Sequence, residues 1–199
     1  MEIYSATFVM SNSDVKKCPP SDKAEYAFIG RSNVGKSSLI NMLTRHNKLA
    51  KISGTPGKTR LINHFLINNA WYLVDLPGYG YARTSHKLRE QFSAIIRNYI
   101  LRRESMLCLF LLIDSRHEPR KIDQDFMAWL GENGVPFVMV FTKADKLTAA
   151  QRATCIAEYE KVMLESWERM PKTFLTSAET GMGREELLAY IDELNGMDV

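Results

Sequence analysis

An α/β fold, with a six-stranded, mixed but mostly parallel sheet and helices on both faces, is predicted by three features of this 199-residue chain. Short apolar or β-rich runs alternate with stretches whose apolar residues recur near a period of 3.6. A glycine-rich turn lies between the first core run and the first helical stretch. All but one of the connections are long enough for right-handed crossovers.

The strand candidates, in order, are Tyr26 to Ile29, Leu61 to Ile67, Trp71 to Val74, Leu107 to Ile113, Phe137 to Phe141 and Thr173 to Leu175. Only a few residues around Asn68-Asn69 join the Leu61 and Trp71 runs, which predicts a hairpin and one antiparallel edge strand. Between runs, Leu88, Phe92, Ile95, Ile96 and Tyr99 form one helical stripe, and Ile122, Phe126, Trp129 and Leu130 another. Both stripes read as core-facing. Residues 1–22 precede the first core strand and are expected to be an added edge strand or a partly ordered arm, with the main domain over 23–199.

Composition narrows the class. With 45% hydrophobic and 25% charged residues the chain has ordinary globular make-up, and one domain is the default. The longest apolar run, Met106 to Ile113, is far below the roughly 18 residues that suggest a membrane span. The N-terminus lacks a basic region and a long apolar core, so it is not read as a secretory signal, and a cytoplasmic protein is expected. Cys18, Cys108 and Cys155 are odd in number and widely spaced, against a disulfide framework or a zinc site. From Arg45 to Arg103 there are eleven Lys or Arg against Asp75 and Glu90, a window of +9 within a net charge of +3. Such a bias fits either a polyanionic partner or a solvated helix face with residues serving a bound nucleotide.

Chemistry enters with Gly30-Arg31-Ser32-Asn33-Val34-Gly35-Lys36-Ser37-Ser38, which matches G-x-x-x-x-G-K-[ST] between a strand and a helix beginning near Lys36. Its glycines let successive N–H groups wrap a phosphate, and the helix N-terminus adds its positive dipole end. Lys36 is expected to reach the β- and γ-phosphates and Ser37 to ligate magnesium. Asp75-Leu76-Pro77-Gly78 ends the Trp71 strand, where Asp75 serves the same metal and the Gly78 N–H approaches the γ-phosphate. Between these lies Ser53 to Arg60, a switch segment in which Thr59 is assigned to magnesium and Thr55 is the weaker candidate. Lys36, Thr59 and Gly78 are the expected catalytic positions.

Guanine is read at Thr142-Lys143-Ala144-Asp145. The Asp145 carboxylate can accept from N1–H and N2–H₂, donors that adenine does not offer there. Lys143 lies along the purine face, and Thr176-Ser177-Ala178 supplies the Ala178 N–H for O6. The nucleotide is therefore GTP rather than ATP, which argues against a small-molecule kinase.

Taken together, GRSNVGKSS, TPGKTR, DLPGYGYA, TKAD and TSA resemble the EngB family (also called YsxC or YihA), within the TrmE-Era-EngA-EngB-Septin-like superfamily. The resemblance runs from Glu25 to the C-terminal helix. It implies a Ras-like P-loop G domain, GTP hydrolysis with magnesium, a role in assembling the large ribosomal subunit or binding its RNA, and a requirement in cell division and septation. Carried onto this chain, the nucleotide contacts are residues 30–38, Gly57, Lys58, Thr59, Arg60, Leu61, Asp75, Leu76, Pro77, Gly78, residues 142–145, Ser177 and Ala178. Thr142 stands where G domains generally carry asparagine, and Tyr79 where Ras-like enzymes carry the glutamine that orients water. Slow intrinsic turnover follows as an expectation, with the missing stabilisation supplied by a partner, by an internal arginine such as Arg60 or Arg83, or by a monovalent cation. Asn33 resembles the asparagine that ligates potassium in related GTPases. A monomer is expected, and the alternative role is a GTP-dependent scaffold at the division septum without a direct ribosome function.

Overall fold

In a computed structural model of the chain, the residues described are 1–46, 49–50, 61–79 and 86–197, with backbone alone for 86–92. Among them a seven-stranded sheet runs in the order β1-β3-β4-β2-β5-β6-β7. Its strands are β1 (Ala6–Asn12), β2 (Glu25–Gly30), β3 (Ile62–Ile67), β4 (Trp71–Asp75), β5 (Met106–Asp114), β6 (Phe137–Thr142) and β7 (Thr173–Leu175). Pairing is parallel from β4 through β2, β5 and β6 to β7, and antiparallel for β3 with β4 and for β1 with β3.

The sheet thus has one strand more than the six runs predict. β1 escapes periodicity because it is an edge strand: Phe8 and Val9 are exposed, and the pairing register shifts between Phe8 and Met10. The hairpin between β3 and β4 turns at Asn68 and Asn69, both left-handed with φ of 51° and 54°; the Ala70 N–H closes that turn on the Ile67 carbonyl at 2.9 Å, and the strands pair from Ile67 and Trp71 outward. Asn68 also fastens the N-terminus. Its Oδ1 accepts from the Tyr4 and Ser5 N–H groups at 2.9 and 3.1 Å, and its Nδ2 donates to the Glu2 carbonyl at 2.6 Å.

Five helices cover the sheet among the described residues: α1 (Lys36–Thr44), α2 (His86–Arg102), α3 (Lys121–Glu132), α4 (Ala149–Met163) and α5 (Arg184–Asn195). Strand alternation divides the core in two. Tyr26, Phe28, Cys108, Phe110 and Leu112 pack with Leu39, Ile40 and Leu43 of α1 and with Leu187, Leu188 and Ile191 of α5. Ala27, Ile29, Leu109, Leu111 and Ile113 pack with α2, α3 and α4. On α2, Ile96 and Tyr99 are buried as the stripe predicts, while Leu88 and Phe92 lie outside the described side chains.

The α3 stripe needs correcting. Ile122 is 40% exposed, whereas Asp123, one position along, is 4% exposed and shares the inward face with Met127 and Leu130. A hydropathy reading places a carboxylate outside. Here Asp123 accepts a hydrogen bond from the Tyr79 hydroxyl at 2.7 Å, and a partnered polar group can be buried.

At the end of the sheet where β2 starts lies a buried charge cluster. Glu25 accepts from the Tyr99 hydroxyl and from Arg103, whose Nε stands 3.0 Å from both carboxylate oxygens, and His64 Nε2 is 3.5 Å away. Arg103 also donates to the Pro19 carbonyl at 2.6 Å. Burial alone would raise the Glu25 carboxyl, but His64, Arg103 and Tyr99 bring it down to about 2.

Candidate nucleotide site

Four segments meet at the C-terminal edge of the parallel strands, where open α/β sheets place their ligands: those after β2, β4, β6 and β7. Gly30 closes β2 so tightly that a Cβ there would stand 2.8 Å from Val34 Cγ1 and 2.9 Å from the Leu112 carbonyl. Gly35 sits at the start of α1 with φ of 100°, which favours glycine, and no side chain caps the helix. The first N–H groups of α1 therefore remain turned toward the loop, the arrangement that binds anions.

Lys36 and Asp75 form a buried ion pair, with side chains about nine-tenths or more covered, and Asn63 Nδ2 lies 3.4 Å from the other Asp75 oxygen. Burial pushes the Lys36 ammonium down to about 7, and the Asp75 carboxylate is the charge that faces it. The loop after β4 is held against the phosphate loop: Leu76 N–H donates to the Phe28 carbonyl at 3.0 Å and Tyr79 N–H to the Gly30 carbonyl at 3.2 Å.

The segment after β6 is tied to the same loop. Thr142 Oγ1 donates to the Val34 carbonyl at 2.6 Å. Lys143, at φ of 60°, sends Nζ to the Asn33 carbonyl at 2.7 Å and to Asp114 at 2.9 Å. Asp114 is also gripped by the Arg116 guanidinium, and these bonds outweigh burial and hold its carboxyl well below the usual range. The Ala144 N–H reaches the Thr176 carbonyl at 3.0 Å, joining this segment to the loop after β7. There Ser177 Oγ donates to Asp145 Oδ1 at 2.7 Å, accepts from the Thr180 N–H at 3.2 Å and keeps the Asp145 carboxyl below its ordinary value. A cavity of about 850 Å³ opens between these pieces, lined among others by Gly35, Ser38, Thr142, Lys143, Asp145 and Ala178.

Residues 25–143 match a family model described as 50S ribosome-binding GTPase. Over 195 residues the chain is 62% identical to the probable GTP-binding protein EngB of Bacteroides fragilis, covering 98% of this chain and 97% of that protein. The chain belongs to the EngB family of GTP-binding proteins. The EngB protein of Porphyromonas gingivalis is 60% identical over the same coverage. A crystal structure of a probable GTP-binding protein EngB superposes with a TM-score of 0.66 at 26% identity, covering 86% of this chain and 98% of that one. A point variant of Aquifex aeolicus Era, bound to GDP and aluminium fluoride, shares the fold at a TM-score of 0.70 and 24% identity, over 88% of this chain and 57% of that one.

For this EngB-family chain, the predicted positions at 30–38, Asp75 to Gly78, 142–145 and 176–178 converge on one edge of the sheet. Gly57, Lys58, Thr59 and Arg60 lie outside the described residues, and so does Arg83. Leu61, just before β3, is 39% exposed. Asp114 is not among the positions the motifs predict, since the apolar run ends at Ile113 while β5 continues to Asp114. A carboxylate closing a central strand at its C-terminal end was the available signal. Among the described residues, no helix is long and apolar enough to cross a membrane.

Proposed function

We propose that this EngB-family chain binds GTP with magnesium and hydrolyses it slowly to GDP and phosphate. The observation that carries the reading is the pair of bonds from Thr142 and Lys143 to the Val34 and Asn33 carbonyls. They tie the segment that carries Asp145, whose carboxylate accepts from Ser177, to the loop before α1, which supports the reading. A base reader and a phosphate cradle on one rigid frame select a guanine nucleotide as a unit.

Ser37, Thr59 and Asp75 are the proposed magnesium residues. A nearly inaccessible Asp75 carboxylate facing the first turn of α1 is a hard oxygen donor of the kind this ion prefers. Bound magnesium would add positive charge at the β- and γ-phosphate oxygens. Lys36, freed from Asp75, carries an ammonium to the same phosphates, and the Gly78 N–H meets the γ-phosphate. Asn33, exposed on the rim of the loop, is proposed to hold a potassium ion that speeds turnover.

At the level of the cell the reading is a cytoplasmic, monomeric GTP switch in assembly of the large ribosomal subunit, with a consequent need in division. Family membership and the basic window between Arg45 and Arg103 support it. Two measurements test the proposal. Asp145→Asn should weaken GTP and favour xanthosine triphosphate; unchanged preference would remove Asp145 as the base reader. The protein should co-sediment with large ribosomal subunits in a salt-sensitive manner, more strongly with a non-hydrolysable GTP analogue than with GDP. Absence of binding in both states would favour a septal scaffold.

A further inference from the structure

Tyr79 follows Gly78 directly, and both its main chain and its side chain are tied down. Its N–H donates to the Gly30 carbonyl at 3.2 Å, and Tyr79 forms an isolated parallel bridge with Arg31. Its hydroxyl donates to Asp123 Oδ1 at 2.7 Å, and its ring stacks on Phe126 of α3 with centroids 4.6 Å apart and planes 25° from parallel. Phe126 in turn stacks on Trp129 at 5.9 Å, and the Arg97 guanidinium of α2 lies 5.6 Å over Trp129. Burial and the neighbouring carboxylate push the phenol well above its ordinary range, so it remains a neutral donor. With its hydroxyl committed to α3, Tyr79 is not available to orient water as a glutamine does.

We propose that Tyr79 is a positioning residue, which through Asp123 and Phe126 fixes the Gly78 peptide at the height of the γ-phosphate. The inference rests on the GTP-hydrolysis reading above. A glycine peptide left free samples many conformations, and ordering it on contact with the ligand would consume binding energy. Pinning the next residue by a main-chain bond, a phenol–carboxylate bond and a stacked ring sets that peptide in advance. GDP has no γ-phosphate and makes no use of the arrangement. The lock therefore acts on the difference between GTP and GDP, and on turnover.

The test compares wild type, Tyr79→Phe, Asp123→Ala, Asp123→Asn and the Tyr79→Phe/Asp123→Ala pair, reading GDP affinity, affinity for a non-hydrolysable GTP analogue, kcat, KM and thermal stability. Tyr79→Phe keeps the stacked ring and loses only the hydroxyl. Both it and Asp123→Ala should weaken the analogue and lower kcat by about tenfold, the scale of a hydrogen bond to a charged group, while GDP affinity stays within about twofold. Asp123→Asn, whose amide oxygen still accepts from the phenol, should recover most of the loss. The double variant should be no worse than the worse single one. If analogue and GDP weaken together, or if only thermal stability falls, the bond merely packs α3 and the inference is overturned. A wild-type chain that binds neither nucleotide would overturn the GTP reading and this inference with it. Wild-type turnover that Tyr79→Phe leaves unchanged would overturn the inference alone.

Discussion

At Thr142 a single hydroxyl ties the segment after β6 to the loop before α1. Its bond to the Val34 carbonyl spans 108 positions of the chain and is buried. Thr142→Val keeps the shape and removes the donor, leaving a buried carbonyl unsatisfied, so stability should fall by about 1–3 kcal/mol and GDP affinity with it. Thr142→Asn, which can donate again, should recover much of the affinity. Denaturant unfolding and fluorescent-GDP titration measure the two effects separately. Ser177 is its counterpart at Asp145: Ser177→Ala leaves the carboxylate to Lys146, 3.0 Å from its other oxygen, and should cost about fivefold in affinity for GDP; it also removes the acceptor of the Thr180 N–H, so a modest fall in unfolding free energy accompanies it.

Among the elements, α1 has the most exacting position, since its first turn faces the phosphate loop and its last turn must stay put. Arg184, at the start of α5 and 8% exposed, donates from Nε to the Leu43 carbonyl at 3.0 Å and lies 3.3 Å from that of Met42. A cation among the last carbonyls of a helix satisfies orphan acceptors and complements the helix dipole. Arg184→Met keeps most of the stem packing and loses these bonds. It should lower stability by about 1–3 kcal/mol, read by denaturant unfolding, and should weaken nucleotide binding less than Thr142→Val does. The long elements were legible in the sequence. The β5 run, the β3–β4 hairpin and the start of α1 all fall within a residue or two of their expected positions, because burial on both sheet faces writes continuous apolar runs. β1 was legible only as one of two alternatives for residues 1–22, an added edge strand or an arm, since its order comes from β3 and from Asn68 rather than from its own pattern.

For the molecule as a whole, the Glu25 cluster draws β2, β3, the end of α2 and the Pro19 segment together at the end of the sheet remote from the cavity. Its carboxyl titrates at about 2 when folded against an ordinary 4.5, so the unfolded chain binds the proton more readily in that interval. The contribution, on the order of 3 kcal/mol, is fully present above the ordinary value and is lost as pH falls through the folded one. Glu25→Gln should therefore be less stable at neutral pH, where Arg103 loses its charged partner, and should show a shallower decline of melting temperature on acidification toward about pH 3. Thermal melts across that range check both statements. By itself, the sequence determined the fold class and marked the segments proposed to hold the phosphates and to read guanine, because each depends on neighbouring residues and on the local periodicity of burial. Tertiary structure decided which groups meet: Lys143 with Asp114, Tyr79 with Asp123 and Arg103 with Glu25, separated by 29, 44 and 78 positions. Such pairs leave no periodic trace in the chain. They form only once the strands are in register and the helices are seated, which is when the desolvation of each charge is offset by its partner.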